Sequence, residues 1–327
     1  MEASTKKQSR LRTFWDLLVE TSDEFAEDHA TKLSASLAYY TIFAIGPLLL
    51  VIVHVLGLFF RKKDEATTKV FEQVGQYIGK SGAAQLESIL ANMNTSSSTL
   101  FGIIGILVFI FSATSIFTEM QSSINYMWSV KARPKRGWLK YITDRLLSFV
   151  LIIGIGVMLI ASLLLNVVVD MLAGQLQRFA LLQQYLGKDN IFVLTSINTG
   201  VLYIIVTLLF AIIFKVLPDA RISWKDTLVG ASFTGVLFLI GKFLITLYLT
   251  NSKLISAYGA AASLIILLSW IYYSALILYF GAEFTDVYAR KCGGGVVVKK
   301  TAVFVIKREA KELPGLKTHI DEDLGKA

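Results

Sequence analysis

The sequence has few of the residues from which disulfides and metal-dependent catalytic sites are built. It holds one cysteine, Cys292, among 327 residues, which excludes an internal disulfide and any metal site made of several cysteines. Its three histidines, His29, His54 and His319, lie far apart in the chain. A metal-dependent nuclease needs clustered carboxylates or histidines to bind ions and activate water. The sequence therefore predicts no enzyme chemistry, no cofactor and no metal site.

Charge is also scarce, and long apolar runs stand in its place. Only 17% of the residues are charged, whereas 54% are hydrophobic, a composition typical of a membrane protein with several spans. A helix needs about 20 apolar residues to cross the hydrocarbon core. Six stretches are long enough. They predict an all-α, polytopic fold with six transmembrane helices, which we call spans 1 to 6, near residues 33–60, 100–128, 145–170, 191–217, 226–250 and 259–284.

The positions of the basic residues predict an orientation. Of the 32 Lys and Arg, 23 fall in the N-terminal arm, the loops after spans 2 and 4, and the C-terminal tail. Eight fall in the three other loops, and Lys242 lies inside span 5. Loops rich in Lys and Arg remain on the cytoplasmic side. Both termini are therefore predicted to be cytoplasmic, as an even number of spans requires.

The regions outside the spans have distinct patterns. Residues 1–31 predict a cytoplasmic amphipathic arm, because apolar residues recur at helical spacing: Leu11, Phe14, Leu18 and Phe25. The arm either lies on the inner leaflet with anionic headgroups as counter-ions or packs as a soluble helix on cytoplasmic loops.

The predicted transmembrane domain covers residues 32–290. Three glycines near the start of 291–327 predict a flexible cytoplasmic tail, which forms a short hairpin or stays disordered.

Two further segments are amphipathic rather than loop-like. Residues 64–99 predict two short external helices and residues 172–188 predict a third, all of which cap the bundle. The alternative is that they act as a gate.

Polar residues within the spans are candidates for substrate contacts, because ionisable groups at membrane depth usually face a bundle interior or a water-filled cavity. Span 2 carries a polar stripe at spacings of three and four: Ser112, Ser115, Glu119, Ser122 and Tyr126, flanked by Gln121 and Asn125. Span 6 aligns Tyr272, Tyr279, Glu283 and Asp286. The predicted substrate-binding residues are Tyr40, Pro47, Ser115, Glu119, Lys242, Tyr272 and Glu283.

Pro47 and Lys242 carry the most specific expectations. Pro47 lacks a backbone donor and leaves the carbonyl of Phe43 without its helical partner. This predicts that span 1 bends at Pro47 and that the bend faces a solvated interior of the bundle. Lys242 lies in the outer half of span 5 and can snorkel only part of the way to water. It shares a helix face with Gly235 and Thr246, so we expect it to face an electropositive cavity suited to a phosphate or carboxylate headgroup.

The charged residues in the spans also have simpler interpretations. Lys242 could be neutralised by an internal carboxylate, for which Glu119 is the candidate. Glu119 and Glu283 are themselves near the cytoplasmic interface by helix length, where pairing with loop arginines such as Arg145 is the simpler interpretation.

Three stretches resemble a known family. They are YGAAASLIILLSWIYYSALILYFGAEFTDVYA (258–289), SLAYYTIFAIGPLLL (36–50) and LPDARISWKD (217–226). Together they resemble the YihY / virulence factor BrkB family of six-helix inner-membrane proteins, over about residues 30 to 290. The resemblance implies a helical bundle in a bacterial cytoplasmic membrane and a role in moving lipid or envelope components. The family also carries an old label as ribonuclease BN.

We therefore favour a membrane transporter or translocator of an amphiphilic or anionic substrate. The alternative is a non-transporting envelope scaffold, and a ribonuclease comes third for want of a catalytic cluster. The predicted partners are the bilayer and anionic headgroups at the cytoplasmic face, without nucleic acid; a homo-oligomer is left open. A transporter requires a continuous polar cavity joining Pro47, Lys242 and the span 2 stripe, whereas a scaffold would pack these residues against each other.

Overall fold

The computed structural model describes residues 10–59, 83–84, 87–88, 99–133, 190–251 and 262–305. In chain order its helices and strands are α1 (Arg10–Glu27), α2 (Ala30–Phe59), α3 (Thr99–Met127), β1 (Val130–Ala132), α4 (Asn190–Val216), β2 (Ala220–Arg221), α5 (Trp224–Asn251), α6 (Ala262–Lys291), β3 (Val297–Val298) and β4 (Ala302–Phe304). Helices dominate, as predicted. The strands, two or three residues long, are too short to leave a periodic signal in the sequence.

The long helices coincide with predicted spans. Segments of α4, α5 and α6 (Thr199–Val216, Trp224–Tyr248 and Leu264–Lys291) are long and apolar enough to cross a membrane. These segments match spans 4, 5 and 6. Helices α2 and α3, with 30 and 29 residues, lie at the positions of spans 1 and 2. Span 3 and the three predicted external helices lie wholly or mainly outside the described residues, so six spans remain a prediction.

The helices form one packed bundle. Helix α2 packs against α3 and α6, and α5 packs against α4 and α6. The main hydrophobic core draws side chains from α2 to α6, and its largest members include Ile124 of α3, Phe214 of α4 and Tyr279 of α6. Residues far apart in sequence therefore meet near the ends of α3, α4 and α6.

Glycines allow α5 and α6 to approach closely. A Cβ added at Gly230 would overlap the side chain of Thr285, and one at Gly281 would overlap that of Thr234. Each threonine hydroxyl donates to a carbonyl of its own helix, Thr234 to Gly230 at 2.7 Å and Thr285 to Gly281 at 2.6 Å. Small residues are typical of close helix contacts in membranes, because they bring the two backbones together.

The four strands lie together at one end of the bundle. Strand β1 pairs antiparallel with β4, and β2 pairs antiparallel with β3. Since β1 follows α3, β2 joins α4 to α5, and β3 and β4 follow α6, these helix ends share one side, which we call the strand-bearing end. The two tail strands pair with different connectors rather than with each other as a hairpin.

Helix α1 packs on the bundle at this same end. Leu17 is buried with Phe284 and Val287 of α6. Glu24 pairs with Arg290, and Glu20 pairs with Lys291. The side chain of Trp15, by contrast, is 66% exposed. One face of the predicted arm therefore packs against α6, an arrangement that neither sequence interpretation specified. Contact with lipid remains a prediction.

Candidate functional site

A cavity of about 560 Å³, with polar side chains in a mostly apolar lining, opens at the strand-bearing end. The last three turns of α3 form one wall, and β1, the α4–α5 connector and the tail complete it. Its lining residues are Thr118, Gln121, Ser122, Asn125, Tyr126, Ser129, Val130, Lys131, Ala132, Asp219 and Val305. Hydroxyl and amide groups predominate among the α3 members because polar residues recur there at spacings of three and four, on one side of a helix.

The cavity wall is held by a buried carboxylate, Asp219, which is 3% exposed. Its Oδ2 accepts hydrogen bonds from Asn125 Nδ2 at 3.0 Å and from Gln121 Nε2 at 3.4 Å. Its backbone N–H donates to Asn125 Oδ1 at 2.8 Å. Buried polar groups require such partners. We call this group the Asp219 latch, because it fastens α3 to the α4–α5 connector.

The C-terminal tail closes over the latch. The backbone N–H of Lys299 donates to the Asp219 carbonyl at 2.9 Å, and its Nζ donates to the Pro218 carbonyl at 2.6 Å. Further along, the N–H of Val305 donates to the Ser129 carbonyl at 2.8 Å. The tail is therefore part of the cavity wall, and its position is coupled to that of α3.

The charges of the lining favour one kind of ligand. Its charged side chains are Lys131 and Asp219. The Asp219 carboxylate is occupied by amide donors, whereas Lys131 is exposed on β1. Hydroxyls and amides beside a lysine can bind a phosphate or carboxylate group. Among the residues that the structure describes, no group of three or more His, Cys, Asp or Glu is arranged to hold a metal ion.

A second cavity, of about 430 Å³, lies beside α1 at the same end. Its lining is strongly acidic, with Arg290 as the cation: Glu24, Glu27, Asp28, Asp286 and Arg290, together with Met127, Trp128, Ser129, Val296, Phe304 and Val305. Trp128 ties α3 to α6 there, since its Nε1 donates to the Ala282 carbonyl at 3.0 Å. We call it the acidic cavity.

Comparison with known proteins identifies the family. The family model described as "Virulence factor BrkB" matches residues 21–301, which is most of the chain. The chain belongs to the virulence factor BrkB family.

Several curated proteins are similar over most of the chain. A UPF0761 membrane protein of Tolumonas auensis is 28% identical over 269 residues, covering 79% of this chain and 80% of that protein. One from Alteromonas mediterranea is 27% identical and covers 79% and 83%. One from Rhodospirillum centenum is 27% identical over 80% of this chain but only 54% of its own length. No solved structure matches the chain. These relatives are named as membrane proteins, and their names give no activity.

Within this BrkB-family bundle, the predicted residues are spread over several helices. Tyr40 is 40% exposed on α2, with its ring 5.8 Å from that of Tyr39. The hydroxyl of Ser115 donates to its own helix, at the Phe111 carbonyl. Pro47 lies inside α2, which continues through it to Phe59. Tyr272 is half-buried on α6. Neither of the two cavities includes any of these four residues.

Lys242 lies half-buried on α5. Part of the face that it shares with Gly235 is closely packed, because a Cβ at Gly235 would meet Thr207 and Tyr203 of α4. The space that we expected to be open is filled by α4 at that level. Lys242 lines neither cavity described above, so the cavity proposed for it remains a prediction.

In the span 2 stripe, the residues nearest the C-terminal end of α3 reach the cavity beside Lys131. Ser122 and Tyr126, with the flanking Gln121 and Asn125, line it, whereas Ser112, Ser115 and Glu119 do not. Asp219 and Lys131 are not among the residues predicted from the sequence. Asp219 stands in LPDARISWKD, one of the stretches that carried the family resemblance, but its pairing with α3 over 94 positions leaves no local signal. Glu283 is fully buried on α6. It lies three residues before Asp286, which lines the acidic cavity.

Proposed function

We propose that this protein is a transporter or translocator of an anionic amphiphile in a bacterial inner membrane. The cavity beside Lys131 carries the proposal, because the hydroxyl, amide and ammonium groups in its mostly apolar lining can bind a phosphate or carboxylate at the end of the bundle. Lipid headgroups combine such an anion with apolar chains that the exposed apolar sides of the helices can accept. Lys242, Tyr40, Ser115, Tyr272 and Pro47 are proposed to contact the substrate deeper in the bundle.

The proposal places the strand-bearing end in the cytoplasm. The excess of Lys and Arg in the N-terminal arm, the loops after spans 2 and 4 and the tail supports this orientation. The described elements of these four regions all lie at the strand-bearing end. Both termini would then be cytoplasmic, and the two cavities would open to the cytoplasm.

The path of the chain supports six spans. Helix α3 ends at the strand-bearing end, next to β1, and α4 also ends there, next to β2. With 27 residues, α4 is about 40 Å long at 1.5 Å per residue, so its first residue lies at the opposite end. These positions support the proposal that the chain crosses the membrane between Arg133 and Asn190, the interval in which span 3 is predicted.

Lipid movement in vesicles tests the transport role. Purified protein would be reconstituted with fluorescent lipids bearing an anionic phosphate or a zwitterionic headgroup, and the labelled lipid reaching the outer leaflet would be measured. We expect native protein to move the anionic probe faster than empty vesicles do, and Lys131→Ala to reduce that rate several-fold. Lys300→Ala is the matched control, because Lys300 is exposed at the same end but does not line the cavity.

A scaffold is the second candidate, and the Asp219 latch favours it. The latch, the Lys299 contacts and the strand pairs hold the strand-bearing end in one arrangement, whereas a transporter has to change shape. Folded native protein that moves neither lipid probe faster than empty vesicles would contradict the transport proposal and support the scaffold.

Thiol labelling tests the orientation. Cys292 is exposed just after α6, so a membrane-impermeant thiol reagent should label it only after the cells are opened. In a version with Cys292→Ser, the change Ser97→Cys should introduce a thiol that reacts from outside. The reverse pattern would overturn the orientation.

A further inference from the structure

Glu283 of α6 is the most deeply buried acidic side chain in the described part of the chain, with no measurable exposure. Neither of its carboxyl oxygens makes a hydrogen bond to a described residue. Every residue of the turn on either side, from Tyr279 to Val287, is at least half-buried. The position is therefore closed to bulk water.

The charged groups around Glu283 are mostly acidic. Asp286 lies one turn further along α6, and Glu24 and Asp28 face Glu283 from α1 and the turn after it. Glu24 adds to this negative environment, although no hydrogen bond forms between the Glu24 and Glu283 carboxyl groups.

The nearby cation is already engaged elsewhere. Arg290 donates from Nε to Asp286 Oδ2 at 3.0 Å, and its Nη2 pairs with the Glu24 carboxylate. Neither contact reaches Glu283. Its neighbourhood on α6 and α1 thus contains three acidic groups, and the arginine beside them bonds to two of these.

An ionised carboxylate in this position would be strongly unfavourable, because it would be buried, unpaired and close to other negative charges. The neutral acid avoids all three costs. We propose that Glu283 is a proton-binding site that holds a proton at neutral pH and exchanges it with the strand-bearing side through the acidic cavity.

The acidic cavity provides the route. Asp28 and Asp286 line it and also neighbour Glu283, so they can pass a proton between the solvent and the buried carboxyl group. Glu24 lines the same cavity from α1. A shift of α1 away from α6 would admit water to Glu283 and allow its proton to leave.

This role differs from the substrate contact that the sequence suggested, because an acidic neighbourhood repels an anion and attracts a proton. The inference rests on the proposed function in one respect only, namely that proton binding would then supply the coupling ion of transport. Protonation itself is measurable without any transport.

Infrared difference spectroscopy on the full-length protein in lipid vesicles tests the site. A protonated carboxyl group has a carbonyl band separate from that of a carboxylate. We expect native protein at neutral pH to show this band, shifted in heavy water, and Glu283→Gln to lack it. If the spectra of native protein and Glu283→Gln show no such difference, Glu283 is ionised and the proposal is wrong.

Thermal unfolding gives a second measurement. Glu283→Gln replaces a neutral acid with a neutral amide of the same shape, so its Tm should equal or exceed that of native protein. Asp286→Asn is the matched control, three residues away on the same helix, and should lower the Tm because it removes the partner of Arg290. A drop in Glu283→Gln as large as in Asp286→Asn would show that Glu283 is a paired carboxylate.

The two proposals fail in different ways. If the infrared band behaves as expected but native protein moves no lipid, the proton site stands and the transport proposal fails. If lipid moves and no band distinguishes native protein from Glu283→Gln, transport stands and the proton site fails.

Discussion

Two buried carboxyl groups at the strand-bearing end differ in their partners. Asp219 is 3% exposed and its carboxylate accepts hydrogen bonds from two amide side chains. Glu283 has no exposure and no hydrogen bond to a described residue. Their burial is nearly equal, so burial does not separate their roles. The amide donors around Asp219 suit a side chain that fixes the structure, whereas the acids around Glu283 suit a group that gains and loses a proton.

The contacts around Asp219 are also more firmly held than those around Glu283. Asp219 is fixed by neutral amides, by the backbone of Lys299 and by strand pairs, all of which keep their hydrogen bonds at any pH near neutral. Glu283 is covered by α1, which packs on α6 through apolar side chains and partly exposed ion pairs. Of the two, the α1 side is the better candidate for movement.

Among the polar contacts of the strand-bearing end, the latch should have the largest effect when it is removed. Asp219→Ala leaves the buried amides of Asn125 and Gln121 without their acceptor, and a lost charged hydrogen bond with an unsatisfied partner costs roughly 3 kcal/mol. We expect a markedly lower Tm for purified Asp219→Ala in lipid nanodiscs. Asp23→Ala, at an exposed position of α1, should leave the Tm unchanged. A Tm equal to that of native protein in Asp219→Ala would show that the latch does not hold this end.

The sequence could reveal the helices because hydrophobic length is a local property. Helices α4, α5 and α6 lie at three of the predicted spans, and the FGAEF and LPDAR stretches carried the family resemblance that the family model confirms. The polar spacing on span 2 likewise identified Ser122 and Tyr126, which line a cavity. Each of these signals is contained within one helix or one motif.

What the sequence could not reveal depends on contacts between distant segments. The pairing of Asn125 with Asp219 spans 94 positions, and that of Arg290 with Glu24 spans 266. The strands pair because the ends of α3, α4 and α6 meet, so their formation follows from the bundle rather than from strand propensity. Helical spacing placed Gly235 and Lys242 on one face, but it could not show that α4 fills the space at Gly235.

An intermediate effect is expected where α5 and α6 meet, outside both carboxyl sites. Gly230→Ala would push a methyl group into Thr285, and overpacking of this kind costs about 1–3 kcal/mol. The Tm should fall by less than in Asp219→Ala. Gly200→Ala on α4 is the matched control, because nothing lies within 4 Å of the added Cβ. Equal Tm values for the two glycine variants would mean that α5 and α6 are free to separate.

The smallest effect should come from the ion pair between Glu20 and Lys291, which helps to hold α1 over Glu283. Both side chains are partly exposed, at 30% and 40%, and such pairs contribute about 0.5 kcal/mol or less. We therefore expect Glu20→Gln to lower the Tm slightly at low salt. At 1 M salt the difference from native protein should vanish, because charges there are screened over roughly 3 Å.

Leu17→Ala is the matched comparison for that pair, since Leu17 packs on Phe284 and Val287 in the same contact. Truncating a buried leucine costs roughly 2–5 kcal/mol, independently of salt. A large, salt-sensitive loss in Glu20→Gln with little change in Leu17→Ala would mean that charge rather than packing fastens α1. Salt would then release the cover of Glu283, and the proton on that group would exchange faster as ionic strength rises. If packing holds α1, salt should leave the exchange unchanged, and the Glu283 site would respond to pH alone.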